Sequence, residues 1–388
     1  MRFKAFAGFL ICLFAFCSCG ETVQTYKEQS LEQTSVLTSL PKETTAAEPK
    51  NTPPCVKAVF AGDNLIHKEI YEQAKTGDGY NFDYAYSHVE KLIAGADLAV
   101  INQETPIAGE FQPSSYPLFN SPPQLGEKVI SIGFNAVSHA NNHILDKGEA
   151  GLLSTIGFWK DRGILVYGAY RNDEELEAIP TMNINGIVFS FVGFMEHTNG
   201  LKLPEGSKAK LVYTSQRDEM KRLIEKADEV SDAVIVSVHW GVEISNTVTN
   251  EQRELAKDFA SWGADIIIGT QPHTIQTMEY TQGKNSRGFV AYSLGNFISA
   301  QDSSPLAMIG EVLSLEVEKE GDGIKIKNPK AHPLVTHYEK GKSGVTVYPY
   351  EEYTSELAAK HGMNSQCKFN MDFINKIIDE NIPLEVRD

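Results

Sequence analysis

Within Ser138-His139-Ala140-Asn141-Asn142-His143-Ile144-Leu145-Asp146, two adjacent asparagines and two histidines fall inside six residues. Such residues build a core poorly. They hold a metal or a phosphate-like oxyanion well, because Asn offers a neutral carbonyl oxygen and His a ligand nitrogen or a proton near neutral pH. The stretch follows the apolar run 134–137, so it reads as the polar end of a buried strand.

Four other apolar runs end in the same chemistry. Val59-Phe60-Ala61-Gly62 leads into Asp63, with His67 four residues on. Leu98-Ala99-Val100-Ile101 leads into Asn102-Gln103-Glu104, and the run 234–238 into His239-Trp240-Gly241, with Glu243 beyond. Ile266-Ile267-Ile268-Gly269 leads into Gln271-Pro272-His273. Open α/β sheets bind ligands at the carboxyl ends of their strands, so these residues are expected to converge at one sheet edge. Each has a bland reading alone. Asp63 would serve as a helix N-cap, Glu104 as an exposed carboxylate, and His239 as a satisfied structural histidine. His67, His139 and His197 stay close to that bland reading, and His88, His332, His337 and His361 read as surface or packing residues. Repetition argues for a site. Carboxylate, Asn and imidazole together suit Mn, Fe or Zn better than Ca or Mg alone. The ligands exceed what one ion needs, which implies two divalent metals and hydrolytic chemistry, most naturally on a phosphoester. No GxxxxGK[ST] loop and no GxSxG elbow is present.

The elements that position these residues alternate. Strands are expected over 56–61, 97–101, 164–167, 233–238, 265–268 and 289–293. Helices are expected over 81–94, 148–159, 215–230, 251–262 and 369–378. A hairpin turns at Asn185-Gly186, and another, 311–317 with 324–326, around Gly321-Asp322-Gly323. This is an α/β pattern whose hairpins favour a mixed-sheet sandwich flanked by helices over a doubly wound parallel sheet.

Bulk properties narrow the class. The 388 residues are 41% hydrophobic and 22% charged, an ordinary globular balance. The formal charge of −16 argues against a nucleic-acid partner gripped by a basic face. The densest basic region, Lys202, Lys208, Lys210, Lys221 and Arg222, reads as a solvated face. Residues 1–18 have a signal-peptide layout: Arg2 and Lys4, then an apolar run. Ser18-Cys19 resembles a lipobox, in which Cys19 carries the lipid; an ordinary secretory signal is the alternative. Residues 19–54 read as the lipidated Cys and a flexible tether. Residues 55–310 then form the catalytic-type domain, and 311–388 a C-terminal hairpin and helix that complete it. Past the signal, only Cys55 and Cys367 remain, so any metal is held by N and O donors.

Taken in order, Gly62-Asp63, the 97–106 segment with Asn102-Gln103-Glu104-Thr105-Pro106, Ala140-Asn141-Asn142-His143 with Asp146 and Gly148, His239-Trp240-Gly241, Pro272-His273 and Ser293-Leu294-Gly295-Asn296-Phe297 resemble the CapA family. That family is named for a poly-γ-glutamate capsule synthesis protein and lies within the calcineurin-like metallophosphoesterase fold. The resemblance implies that Asp63 and His273 bind one metal, Asn142 and His239 a second, and that Glu104 bridges them. It places His143 beside the substrate as proton donor or oxyanion stabiliser, with Asn142 also at the reacting centre; His67 and Gln271 are further candidate ligands. Gln271 departs from the family pattern, which has His at that position. The resemblance also implies an extracytoplasmic, membrane-anchored lipoprotein whose partners are an anionic envelope polymer or phosphoester substrate and the capsule synthesis machinery. Three functions stay open at this point: a hydrolase or transferase on a capsule-type polymer, a phosphoesterase on a small or lipid-linked phosphate, and a non-catalytic polymer-binding lipoprotein.

Overall fold

The computed structural model describes residues 53–284, 287–321 and 323–387. The signal segment, Cys19, nearly all of the tether and Asp322 lie outside the described residues.

Two sheets carry the chain. The first has eight strands. Its centre is Cys55–Leu65, followed on one side by Leu98–Asn102, Ala136–Ser138 and Leu165–Tyr167, all parallel to their neighbours. On the other side Ile309–Glu320, Gly323–Glu339 and Ser343–Pro349 add antiparallel strands. Short Asn296–Ser299 pairs in parallel with the end of Cys55–Leu65, setting Asn296 opposite Asp63. The second sheet runs in the order Met278–Gln282, Arg287–Ala291, Ile266–Thr270, Ala233–His239, Ile187–Met195 and Thr181–Ile184. Its four inner strands are parallel and its two edges antiparallel.

Period-two alternation divides the second sheet between two cores. Phe189, Phe191, Ile235, Ile266 and Ile268 join the cluster that holds Phe60, Val100 and Val137 of the first sheet. The intervening Val192, Phe194, Val234, Val236 and Ile267 pack instead with Leu223 and Phe259, from helices Arg217–Val230 and Asn250–Trp262. Near-continuous apolar strands follow from burial on both faces.

Most expected elements lie within a few residues of their observed places. The Asn185-Gly186 turn has both residues at positive φ, 51° and 84°, as a tight hairpin requires. The single helix expected over 81–94 is instead two short turns, Asp83–Tyr86 and Glu90–Ile93. At the break, Thr346 Oγ1 donates to the Tyr84 carbonyl at 3.2 Å, and the Tyr86 hydroxyl donates to Asn64 Oδ1 at 2.8 Å. The 324–326 strand extends to 323–339, and Met278–Gln282, Asn296–Ser299 and Ser343–Pro349 had no expected counterpart. Cys55 and Cys367 are both free thiols. The basic region is largely neutralised, with Arg222 on Glu177 and Glu219, Lys210 on Asp173 and Lys221 near Glu225. Among the described residues, no helix is long and apolar enough to cross a membrane.

One backbone approach sets up the site. Asp63 N donates to Gly295 O at 2.9 Å, and a Cβ on Gly62 would lie 2.0 Å from that same oxygen. Gly62→Ala therefore has to push the two strands apart, and we expect a loss of about 1–3 kcal/mol or more. Urea unfolding reads this directly; an unchanged midpoint would refute the close approach.

Candidate metal centre

The strand ends that converge come from both sheets, not from one edge as the sequence pattern suggested. Asp63 lies near the end of Cys55–Leu65, Glu104 two residues past Leu98–Asn102, and Asn142 and His143 just beyond Ala136–Ser138, all in the first sheet. His239 closes Ala233–His239, and His273 follows Ile266–Thr270, in the second. Parallel pairing within each sheet keeps these ends level. The sandwich then brings the two rows face to face.

Asp63, Glu104 and His273 each offer a ligand atom within 4.8 Å of the others, and all three are buried. Asp63 Oδ2 lies 3.0 Å from His273 Nδ1 and accepts from Gln271 N at 3.3 Å. Asp63 Oδ1 accepts from Asn102 Nδ2 at 2.7 Å. His273 Nδ1 also lies 3.1 Å from Asn296 Oδ1, and Asn296 Nδ2 is fixed by Ala307 O at 2.9 Å.

Glu104 Oε1 lies 3.7 Å from His239 Nε2 and 3.8 Å from His273 Nε2. Those gaps are too long for hydrogen bonds. Both Glu104 oxygens are buried without a partner, as is Gln271 Oε1. Buried carboxylates are ordinarily paired or coordinate a metal. His239 Nε2 approaches Asn142 Oδ1 at 3.1 Å, while its Nδ1 meets Thr270 Oγ1 at 2.8 Å. The donor set of carboxylate, imidazole and amide oxygens thus fits a divalent cation. It forms a possible metal-binding triad with further donors beside it.

The electrostatics agree. Burial lifts the Glu104 carboxyl well above its usual range, against the pull of His273. Burial raises Asp63 too, but the His273 hydrogen bond and charge outweigh it and hold Asp63 below its ordinary value. Burial depresses His273, yet the Glu104 and Asp63 carboxylates push it up to about 10. His239 falls to about 3 through burial, so it is a neutral imidazole, the form that ligates.

His143 is likewise buried. Its Nδ1 lies 2.8 Å from Asp146 Oδ2, which also accepts from Phe119 N at 2.7 Å. The Phe119 ring packs edge-on against the imidazole at 4.8 Å between centroids. His67 stands outside the triad: its Nδ1 is 3.3 Å from Leu65 O and 3.4 Å from Ser299 Oγ, and burial lowers its pKa to about 4. His139 accepts from Trp159 Nε1 at 2.7 Å, a structural bond. Gln271 lies beside Asp63 through its backbone.

Sequence reasoning quoted Asn102 and Asn296 within motifs without giving them roles. Each buttresses a carboxylate or imidazole of the triad, and adjacency to Glu104 and to the 293–297 motif was the available signal. Asn199, whose Oδ1 accepts from Asn142 Nδ2 at 3.4 Å, had none, since it comes from a loop far along the chain.

Comparison with known proteins agrees with the family resemblance. Two curated relatives match: a capsule biosynthesis protein CapA of Bacillus anthracis, 30% identical over 252 residues, and a PGA biosynthesis protein CapA of Bacillus subtilis (strain 168), 26% identical over 250. These alignments cover 62% and 63% of this chain, and 59% and 64% of the relatives, so the chain spans about three-fifths of their length. Among solved structures, a calcineurin-like phosphoesterase of Bacillus subtilis is 12% identical at a TM-score of 0.39, covering 84% of this chain and 96% of its own. A 5'-nucleotidase of Candida albicans is 11% identical at 0.39, covering 84% and 56%. Likenesses this distant carry no argument about activity. Residues 57–301, well over half of the chain and including every residue of the centre, match the bacterial capsule synthesis protein PGA_cap family, to which this protein belongs.

Proposed function

We propose that this protein is a metal-dependent hydrolase or transferase of the calcineurin-like type, acting on an anionic envelope polymer of the poly-γ-glutamate kind during its synthesis, anchoring or processing. The observation that carries the reading is Glu104: a fully buried carboxylate, without a partner, set between imidazoles from two different strands. Asp63, Glu104 and His273 would hold one cation, and Glu104, Asn142 and His239 a second. Mn, Fe or Zn bound there would polarise a phosphoryl or carbonyl oxygen and make water a nucleophile at neutral pH. His143 holds or delivers a proton through Nε2, because Asp146 occupies its Nδ1. Asn102 and Asn296 keep Asp63 and His273 in place.

The relatives' names support a capsule role. A cavity of about 530 Å³ on the loop after Ile187–Met195 would offer room for a chain-like substrate. It is lined by His197, Leu201, Lys202, Lys210 and Tyr213, on the loop that also presents Asn199 to Asn142. Surface anchoring through Cys19, a flexible tether over 19–54 and association with capsule synthesis machinery belong to the same proposal.

The decisive assay offers the purified protein γ-linked polyglutamate and p-nitrophenyl phosphate, with and without chelator. Chelator-sensitive cleavage or transfer of the polymer is expected. Phosphatase turnover alone would replace this reading with a small-phosphate esterase. A metal-free, inactive protein would leave a polymer-binding role.

Metal uptake should also release protons. Glu104 and His273 are both raised, His273 to about 10, so in the metal-free protein the pair holds a proton at pH 7 that has to leave before both can ligate. Apparent metal affinity is therefore expected to climb from neutral pH towards pH 10. Calorimetric titration in two buffers of different ionisation enthalpy should give at least about one proton released per cation bound. Identical heats in the two buffers would contradict it.

A further inference from the structure

The loop after Ala233–His239 is fastened over the loop after Ile266–Thr270. Trp240 N donates to Thr270 O at 3.1 Å and Ile244 N to Pro272 O at 2.8 Å. Three non-glycine residues in these loops are left-handed: Ile244 at φ 57°, Gln271 at 96° and His273 at 57°. Such backbone is costly and persists where surrounding contacts fix it, often at ligand sites. The clamp sets Glu243 Oε1 3.3 Å from Gln271 Nε2.

Gln271 is 2% exposed. Its backbone N–H is on Asp63 and its amide N–H on Glu243, yet its Oε1 is buried with no partner. Glu243 is exposed at the mouth of the centre, and its charge, after those of Glu104 and Asp63, is one that raises His273. An unpartnered amide oxygen thus stands beside Asp63, its amide nitrogen held by a third carboxylate.

We propose that Gln271 and Glu243 form an oxygen-donor arm of this centre that biases it towards a hard divalent cation, Mn(II), over Zn(II). The inference rests on the metal-centre reading above. Carboxylate and carbonyl donors suit Mn and Mg, whereas imidazole suits Zn, so the identity of the arm sets the preference. Gln271 Oε1 is the free donor of this arm, and Glu243 holds the Gln271 amide and acts through its charge.

The test titrates metal-free full-length protein with Mn(II) and with Zn(II) by calorimetry, with Mn(II) electron paramagnetic resonance as a second readout. Three proteins are compared: wild type, Gln271→His and Glu243→Gln. Gln271→His should shift the Mn-to-Zn affinity ratio towards zinc by about tenfold or more. Glu243→Gln, on an exposed side chain and so safe for folding, should weaken Mn(II) by about tenfold and zinc by less. Thermal melts of the metal-free variants identify any that fail to fold. If wild type binds both ions but the ratio is unmoved in both variants, the inference fails and the centre stands. If wild type binds neither ion, both fail.

Discussion

Replacing Glu104 by glutamine is expected to have two opposite effects: the metal-free protein becomes more stable, and the metal is lost. Glu104 is fully buried, and neither oxygen has a hydrogen-bond partner. A buried unsatisfied polar group costs about 1–3 kcal/mol, more when charged. Glutamine keeps the volume and removes the charge. The sign with pH follows from linkage. A carboxyl raised well above 4.5 in the folded state keeps a proton that the unfolded chain releases, so folding is opposed above that pH. The gain from Glu104→Gln should therefore be absent near pH 4 and present at pH 7, as a rise of about 2 °C or more in Tm with chelator present. Metal affinity should fall by more than the roughly 10–100-fold that loss of an outer partner costs. The stabilisation conferred by added metal, about 2.7 kcal/mol at a hundred times Kd in wild type, should vanish with it. Tm series with chelator and with Mn(II), at pH 4 and pH 7, read both effects. A chelated variant less stable than wild type at pH 7 would mean that Glu104 is satisfied as it stands.

His143→Ala is expected to separate chemistry from metal binding. A positioned proton donor or acceptor contributes about 10²–10⁴-fold to rate. Turnover should drop by that factor, with metal content unchanged. Asp146→Asn should lower turnover less and move the pH profile, because Asp146 fixes the ring through Nδ1 and is itself tied to Phe119 N. Both side chains are buried, so thermal melts of each variant separate a loss of fold from a loss of turnover. If metal content falls with activity in His143→Ala, the imidazole is a ligand and its assigned role is wrong.

Much of this was legible in the sequence because parallel strands and site residues obey local rules. A buried strand writes itself as an apolar run, and the polar residue that ends it stands out, as at Asp63, His239 and the Asn142-His143 pair. The tight hairpin at Asn185-Gly186 needs two residues that tolerate positive φ, and the dipeptide announces it. What failed were features decided across the chain. The helix expected over 81–94 is two short turns whose contacts come from afar, as where Thr346, some 260 residues away, donates to the Tyr84 carbonyl. Convergence on one sheet edge was misread because periodicity shows where strands end, not which sheet they join. Asn199 and the Glu243–Gln271 contact depend on how loops from different strands lie over each other. Gln271 looked like a weakened ligand in the sequence. In the fold it is the residue that links Asp63 to Glu243.

The central claim is that Asp63, Glu104 and His273 hold a metal. Elemental analysis of natively purified protein, with anomalous scattering from its crystals, tests it most directly. The account predicts at least one divalent transition metal per chain, with an anomalous peak among these three side chains that disappears in Asp63→Ala and His273→Ala. A protein free of metal, or one whose metal content is unchanged by both substitutions, would contradict it.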